Sequence, residues 1–524
     1  MSQMFDQASS LKELNVGNFD TSKVQNMSHM FHYCSNVEKL DVSKFDTREV
    51  RDMSFMFGHC RLVSNFDVKQ FDTKNVEDMS GMFQYCPSTQ KLDVDDFDTS
   101  KVKNMSSFFE DCALLTSLNV SKFKTSNVKD MSHMFQDCTA LTSVDVSKFD
   151  TGNVEDMSAM FAGLSKIFLL DVSGFDTSKV TNTSKMFQFM NNARSLTLSK
   201  FNTQNVVDMS SMFQNCRSFG TLDVSSFRTP KVVDMTSLFE GCSSVTRLDV
   251  SQFDTSKVTS MAKMFSEVKV KTLDLTNFNT ENVKDMSYLF YKCTALTSAD
   301  FSKFDTSLVT NMQSMFSDTA FKSLDLSSFN TKNVVNMNSM FQGIYYLRSL
   351  DVSKFDTSQV TDMFKMFDSC SLLQKLEITN FRTEKVLDMG SMFRMCYTLT
   401  SLDLSSLDTR NIKDMYAMFE GDSRLKSLDL TNFVTSNVRD MSTMFIECRG
   451  ITSLNLKNFD ASSVTDFSNM FTNCNKLESL DLSSFRPKEG TLFVSMFKYS
   501  GLKRINLDNF NTENAIDMTE MFRG

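Results

Sequence analysis

The dipeptide Met-Phe returns with a step of 26 residues, at Met4-Phe5, Met30-Phe31, Met56-Phe57 and Met82-Phe83, and persists to Met521-Phe522. A second anchor, the Phe that opens Phe-Asp-Thr, occurs at Phe19, Phe45, Phe71 and Phe97 and onward to Phe510. These anchors mark 20 repeats, with Leu407 the one substitution. A period of this size means one supersecondary unit stacked on copies of itself, each burying the apolar face of the next. Three steps are 25 residues: Phe253 to Phe278, Phe304 to Phe329 and Phe485 to Phe510. Each lost residue lies between the Met-Phe segment and the next apolar run, where a loop tolerates deletion.

Residues 141–166, LTSVDVSKFDTGNVEDMSAMFAGLSK, show the unit. Its first part alternates apolar and polar residues, the period of a strand. Its second part, V-x-D-M-S-x-M-F-x-x-C, spaces apolar residues by three and four, the period of one helix face. The residue before the first Met is Asp or Asn in 18 of the 20 repeats, and both are good helix N-caps. The expected fold is therefore an α/β repeat, a leucine-rich-repeat-like curved solenoid. A parallel β-sheet lines its inner face and short helices its outer face. Packed helices need about 8–10 Å and stacked strands about 4.8 Å, so the helical side spreads. Residues 1–524 read as a single solenoid of about 20 repeats without visible capping units.

Composition bears on function chiefly by exclusion. The chain has 15 Gly and 3 Pro among 524 residues, too few for linkers between separate domains. A net charge of −9 and the absence of Trp disfavour nucleic acid as a partner. No stretch reaches the roughly 18 apolar residues of a membrane span, so no membrane insertion is expected. The four His, at 29, 32, 59 and 133, align with no nucleophile, and the chain reads as a non-enzyme.

All 12 Cys occupy one repeat position, three residues after the Phe of Met-Phe. Leu164, Met190 and Ile344 replace them elsewhere, so the position is core space. The Met at the first and fourth positions of the Met-Phe segment, such as Met27 and Met30, also read as core. The Thr of Phe-Asp-Thr, as in Thr21 and Thr47, reads as a turn hydroxyl serving backbone groups of its own and adjacent rungs.

The Asp of Leu-Asp-Leu points away from the core by strand alternation. It supplies the expected partner-binding residues Asp41, Asp67, Asp93, Asp145, Asp171, Asp403, Asp429 and Asp481. Carboxylates one rung apart repel, so something offsets them. Solvent and nearby Lys (Lys44, Lys122, Lys148, Lys303, Lys354) are one answer. A ladder of divalent cations, with calcium the candidate, is the other, on Asp223, Asp249, Asp274, Asp300, Asp325 and Asp351. No other cofactor is expected.

The consensus L-T-S-L-D-L-S-x-F-D-T-S-x-V-T-D-M-S-x-M-F-x-x-C closely resembles the BspA-type leucine-rich repeat of bacterial surface proteins. LTSLNVSKFKTSNVKDMSHMFQDC and LTSLDLSSLDTRNIKDMYAMFEGD carry the likeness, which spans the chain. The resemblance implies a cell-surface or extracellular repeat protein, often adhesive, whose partner is a protein or glycan on another cell or matrix. No catalytic residue is implied. Neither a signal peptide nor an anchor reads in these residues, so the location rests on the resemblance.

The first and last repeats break at the same phase. Met4, Phe5, Leu14, Met518, Met521 and Phe522 are then the expected end-to-end contact of a structural filament or surface-layer component, the alternative function. A segment of a longer protein is the other reading of the same ends.

Overall fold

The computed structural model describes residues 1–487 and 490–524. The chain forms two compact units, one of Met1–Val258 with Glu267–Val270, the other of Thr259–Ser266 with Lys271–Gly524. Each unit is a parallel β-solenoid, one sequence repeat to a rung.

The expected short helices are absent: among the described residues no segment is helical. The Met-Phe segment forms successive turns instead. In the rung that begins at Met27, the amide of Met30 donates to Met27 O at 3.2 Å and that of Cys34 to Phe31 O at 3.1 Å. His29 and Tyr33 have φ of 54° and 58°, which no right-handed helix allows. The amides between these bonds point to the next rung: Met27 to Asp52 O, His29 to Ser54 O, Phe31 to Met56 O and Tyr33 to Gly58 O, at 2.8–2.9 Å.

This pattern explains why helical spacing misleads here. Two consecutive turns bury Met27, Met30, Phe31 and Cys34 together, as one helix face would. Stacking supplies a backbone acceptor one rung away for every second amide, so the bonds of a helix are not needed. With turns in place of helices, the premise that one side of the rung must spread is lost.

Regular strands are short. They are β1 (Glu13–Leu14), β2 (Lys39–Leu40), β3 (Asn65–Phe66), β4 (Lys91–Leu92), β5 (Ser349–Asp351), β6 (Lys375–Glu377), β7 (Ser479–Asp481), β8 (Thr491–Leu492), β9 (Arg504–Asn506) and β10 (Ala515–Asp517). They pair in parallel as β1–β2, β3–β4, β5–β6, β7–β9 and β8–β10. A longer ladder runs down the Asp/Asn column before the first Met. In the first unit it bridges in parallel from Asn26 and Asp52 to Asp234, and in the second from Ser260 and Asp285 to Leu492. Asp52 still caps a chain reversal, accepting from the Ser54 amide at 2.9 Å, but the element it caps is a turn.

The core is built of columns. Phe5, Phe31 and Phe57 stack at 5.6 and 5.8 Å with nearly parallel rings, and the column continues to Phe239. Its counterpart in the second unit runs from Phe265 to Phe522, ending at 5.0 Å. Parallel rings at this spacing are offset stacks, which add a specific register to the burial. Thr21 is 2 % exposed and locks neighbouring rungs on the opposite side. Its hydroxyl donates to Asp46 O at 3.0 Å and accepts the Asp46 amide at 2.8 Å.

Candidate functional site

The segment Leu-x-x-Leu-Asp-Leu-Ser presents its second, third and fifth residues to solvent. Leu40 and Val42 are buried, whereas Glu38, Lys39 and Asp41 are exposed. This face carries the expected partner residues. Asp41, Asp67, Asp145, Asp171, Asp403 and Asp429 are exposed; Asp93 and Asp481 are half-buried.

Most of these carboxylates do not hang free. Asp41 Oδ1 accepts the Ser43 hydroxyl at 2.6 Å and the Ser43 amide at 3.0 Å. The same pair of bonds forms at Asp145 with Ser147, Asp171 with Ser173 and Asp429 with Thr431. Asp403 and Asp481 accept the amides of Ser405 and Ser483, each at 3.0 Å. This is an Asx-turn: a short acidic side chain closes on the backbone two residues ahead and ends the strand. Asp93 has only a long contact of 3.4 Å from the Asp95 amide.

Such bonds favour the ionised form. The hydroxyl of the residue two ahead, followed by its amide, holds Asp41, Asp145, Asp171, Asp223, Asp274, Asp351, Asp429 and Asp481 below the usual carboxylate range. At Asp300, Asp325 and Asp403 the amide leads. These side chains are anions at neutral pH.

The residues expected to hold divalent cations share this geometry. Asp223 and Asp249 lie in the first unit; Asp274, Asp300, Asp325 and Asp351 lie in the second. All six are exposed and accept the amide two residues ahead, at 2.9–3.1 Å. Asp325, Ser327, Asp351 and Lys354 line a groove of about 200 Å³. The Lys354 charge lowers both Asp325 and Asp351, so part of the repulsion is met by lysine. Among the described residues no three acids, His or Cys converge as metal ligands do.

The end residues are uneven in exposure. Met4 is 49 % exposed, Met518 46 % and Phe522 55 %, while Met521 is buried. Phe5 and Leu14 are half-buried. Phe5 stacks on Phe31, and Phe522 on Phe497.

The structure also gathers residues that the sequence left scattered. Tyr33, His59 and Tyr85 stack at 4.0 and 4.6 Å along one column. Burial pushes His59 down to about 4, so it is neutral. Phe168 and Leu169, overlooked in the sequence, lie exposed on the acidic face at 56 % and 75 %. Their signal was available: in every other repeat the two residues of Leu-x-x-Leu are polar or Gly.

Comparison with known proteins places the chain. No curated protein matches it. Among solved structures it is similar to a leucine-rich repeat protein from Bacteroides ovatus, at 16 % identity and TM-score 0.35, over 79 % of this chain and 87 % of that one. It is also similar to the internalin InlF of Listeria monocytogenes, at 15 % identity and TM-score 0.18, over 85 % and 87 %. No helix is long and apolar enough to cross a membrane among the described residues. Seven overlapping matches, from residues 1–112 to 422–524, cover every rung, so the chain belongs to the family described as "Mycoplasma protein of unknown function, DUF285".

Proposed function

We propose that this chain is a non-enzymatic adhesin or binding scaffold of a cell surface, which engages protein or glycan through its exposed Asp/Ser/Lys face. The observation that carries this reading is the Asx-turn row. In many rungs an exposed carboxylate is fixed by the amide and hydroxyl two residues ahead, and the rungs are tied to one another through the Met-Phe segment and the Thr column. A rigid, repeated and charged surface is suited to recognition, since little side-chain freedom is lost on contact. Calcium bridging between rungs is an extension of the same reading: two stacked carboxylates supply hard oxygen donors. The test is adhesion of the purified chain to cultured cells and to a glycoprotein panel, with and without calcium. Asp145→Asn/Asp171→Asn and Asp403→Asn/Asp429→Asn variants are run alongside. Saturable binding that these changes weaken supports the reading. Binding indifferent to all four overturns it, and equal binding in chelator removes calcium from it.

A second reading, end-to-end stacking, is favoured by the direction of the backbone bonds. In the Met-Phe segments, amides of one rung donate to carbonyls of the next, as from Phe5 to Met30 O and from Phe497 to Met521 O. Two ends of such a stack are complementary, donors on one and acceptors on the other, a heterologous contact. Negative-stain microscopy decides it. Filaments that shorten in Met4→Lys and Phe522→Lys variants support self-stacking, and separate particles at every concentration overturn it.

A further inference from the structure

The acidic face has one interruption in its polar pattern. Phe168 and Leu169 stand where the adjacent repeats carry Thr142-Ser143 and Arg194-Ser195. Both side chains are exposed, Leu169 more than any other large apolar residue of the described chain. A lone exposed leucine needs no explanation, but an adjacent Phe-Leu pair on a polar face resembles the apolar centre of a protein contact.

Two further departures fall beside the pair. Repeats on either side carry Lys148 and Lys200, three residues after the Asp position, where this one has Gly174. Gly174 is not needed by the backbone, since its φ is not positive and an added Cβ would meet only Ser147 O at 3.6 Å. Two rungs from Phe168, in the same column, Gly220 has open space where a Cβ would be. Both glycines thus leave room on the face that a side chain would occupy.

The missing lysine has an electrostatic consequence. Lys148 lowers Asp145, but no cation acts on Asp171, whose carboxylate is held by Ser173 alone. Among the described residues Asp171 has no ion pair. It lies two residues from Leu169, about 7 Å along an extended chain and on the same face. An apolar knob, a cleared space and an unpaired anion are therefore adjacent.

We infer that this rung is the contact centre of the face, and that its occupant is a protein segment presenting an apolar side chain beside a Lys or Arg. The apolar side chain covers Phe168 and Leu169. The basic one enters the space over Gly174 and pairs with Asp171, doing there what Lys148 does for Asp145 in the preceding rung. The inference rests on the binding-face reading above and locates its anchor.

The test uses the full chain and two fluorescein-labelled heptapeptides, Leu-Lys-Leu-Lys-Leu-Lys-Leu and its Leu-Glu counterpart, read by fluorescence anisotropy. The Lys peptide is expected to bind and the Glu peptide to bind at least about tenfold more weakly. Phe168→Ser/Leu169→Thr, which makes both exposed positions polar as in most other repeats, should weaken the Lys peptide about tenfold or more. Asp171→Asn should weaken it several-fold at low salt and less at high salt. No binding of the Lys peptide, equal binding of both peptides, or full affinity in Phe168→Ser/Leu169→Thr overturns the inference. If Asp403→Asn/Asp429→Asn abolishes binding while Phe168→Ser/Leu169→Thr does not, the anchor is wrong and the binding face stands. If neither pair of changes matters, both fall.

Discussion

The thiol of Cys60 donates to the carbonyl oxygen of Phe31, 3.2 Å away and one rung earlier. The same bond recurs from Cys86 to Phe57 and from Cys474 to Phe445, at 3.1 Å. The cysteine column is thus a set of buried, hydrogen-bonded thiols that tie rungs together without covalent links. Burial pushes Cys86, Cys138, Cys242 and Cys474 up to about 12. A thiol of that kind has almost no thiolate at neutral pH and is a poor nucleophile. None of the 12 thiols should react with an aromatic disulfide reagent in the native chain at pH 8, and all should react in denaturant. Rapid native labelling would mean that the column is open.

Asp422 stands in the same column where most repeats have Cys. It is fully buried; Oδ1 accepts the Cys396 amide at 2.9 Å and Oδ2 has no partner. Burial raises it well above the ordinary carboxylate value, so the folded chain holds it protonated. A raised folded value means more protons bound in the folded than the unfolded state above about pH 4, and stability lost as pH climbs from there. Asp422→Cys removes the unsatisfied oxygen and lets a thiol reach Phe393 O, as in neighbouring rungs. Denaturant unfolding at pH 7 should show a gain of about 1–3 kcal/mol, shrinking toward pH 4.

The Asx-turn aspartates titrate with the opposite sign. Their folded values are lowered, so the stability they contribute is present above about pH 4 and lost as pH falls through the folded values below it. Ser43→Ala/Ser147→Ala/Ser173→Ala removes the hydroxyl that chiefly lowers Asp41, Asp145 and Asp171. The melting temperature of this variant should depend less steeply on pH between about 4 and 2 than that of the parent.

Glycine distinguishes the turn from a helix by sign. Ser211 sits in the Met-Phe segment with φ 56°. In a helix interior, Ser211→Gly would cost about 0.5 kcal/mol. At a left-handed position it relieves a strain of about 1 kcal/mol. The variant should melt higher than the parent, and a lower melting temperature would argue for helix.

The threonine column holds rungs together by paired bonds. Thr47 is 1 % exposed and donates to Asp72 O at 3.0 Å. Thr47→Val keeps the shape and strips the hydroxyl, leaving the Asp72 carbonyl short of that donor. A loss of about 1–3 kcal/mol in chemical unfolding is expected.

The sequence by itself determined the period, the buried columns of Met, Phe and Cys, and the exposure of most Leu-Asp-Leu carboxylates. All of these follow from residue type at fixed spacing, which burial reads directly. It did not determine how the Met-Phe segment folds. Met27, Met30, Phe31 and Cys34 have the spacing of a helix face, and two turns bury the same four side chains. Only the neighbouring rung decides between them, because acceptors such as Asp52 O and Met56 O exist only once rungs stack. The capping chemistry of Asp52 was legible, while the element it caps was not. The same holds for Phe168 and Leu169. Their departure from the repeat, and their nearness to Asp171 and Gly174, are written in the chain, but only the folded structure shows that both side chains stay exposed.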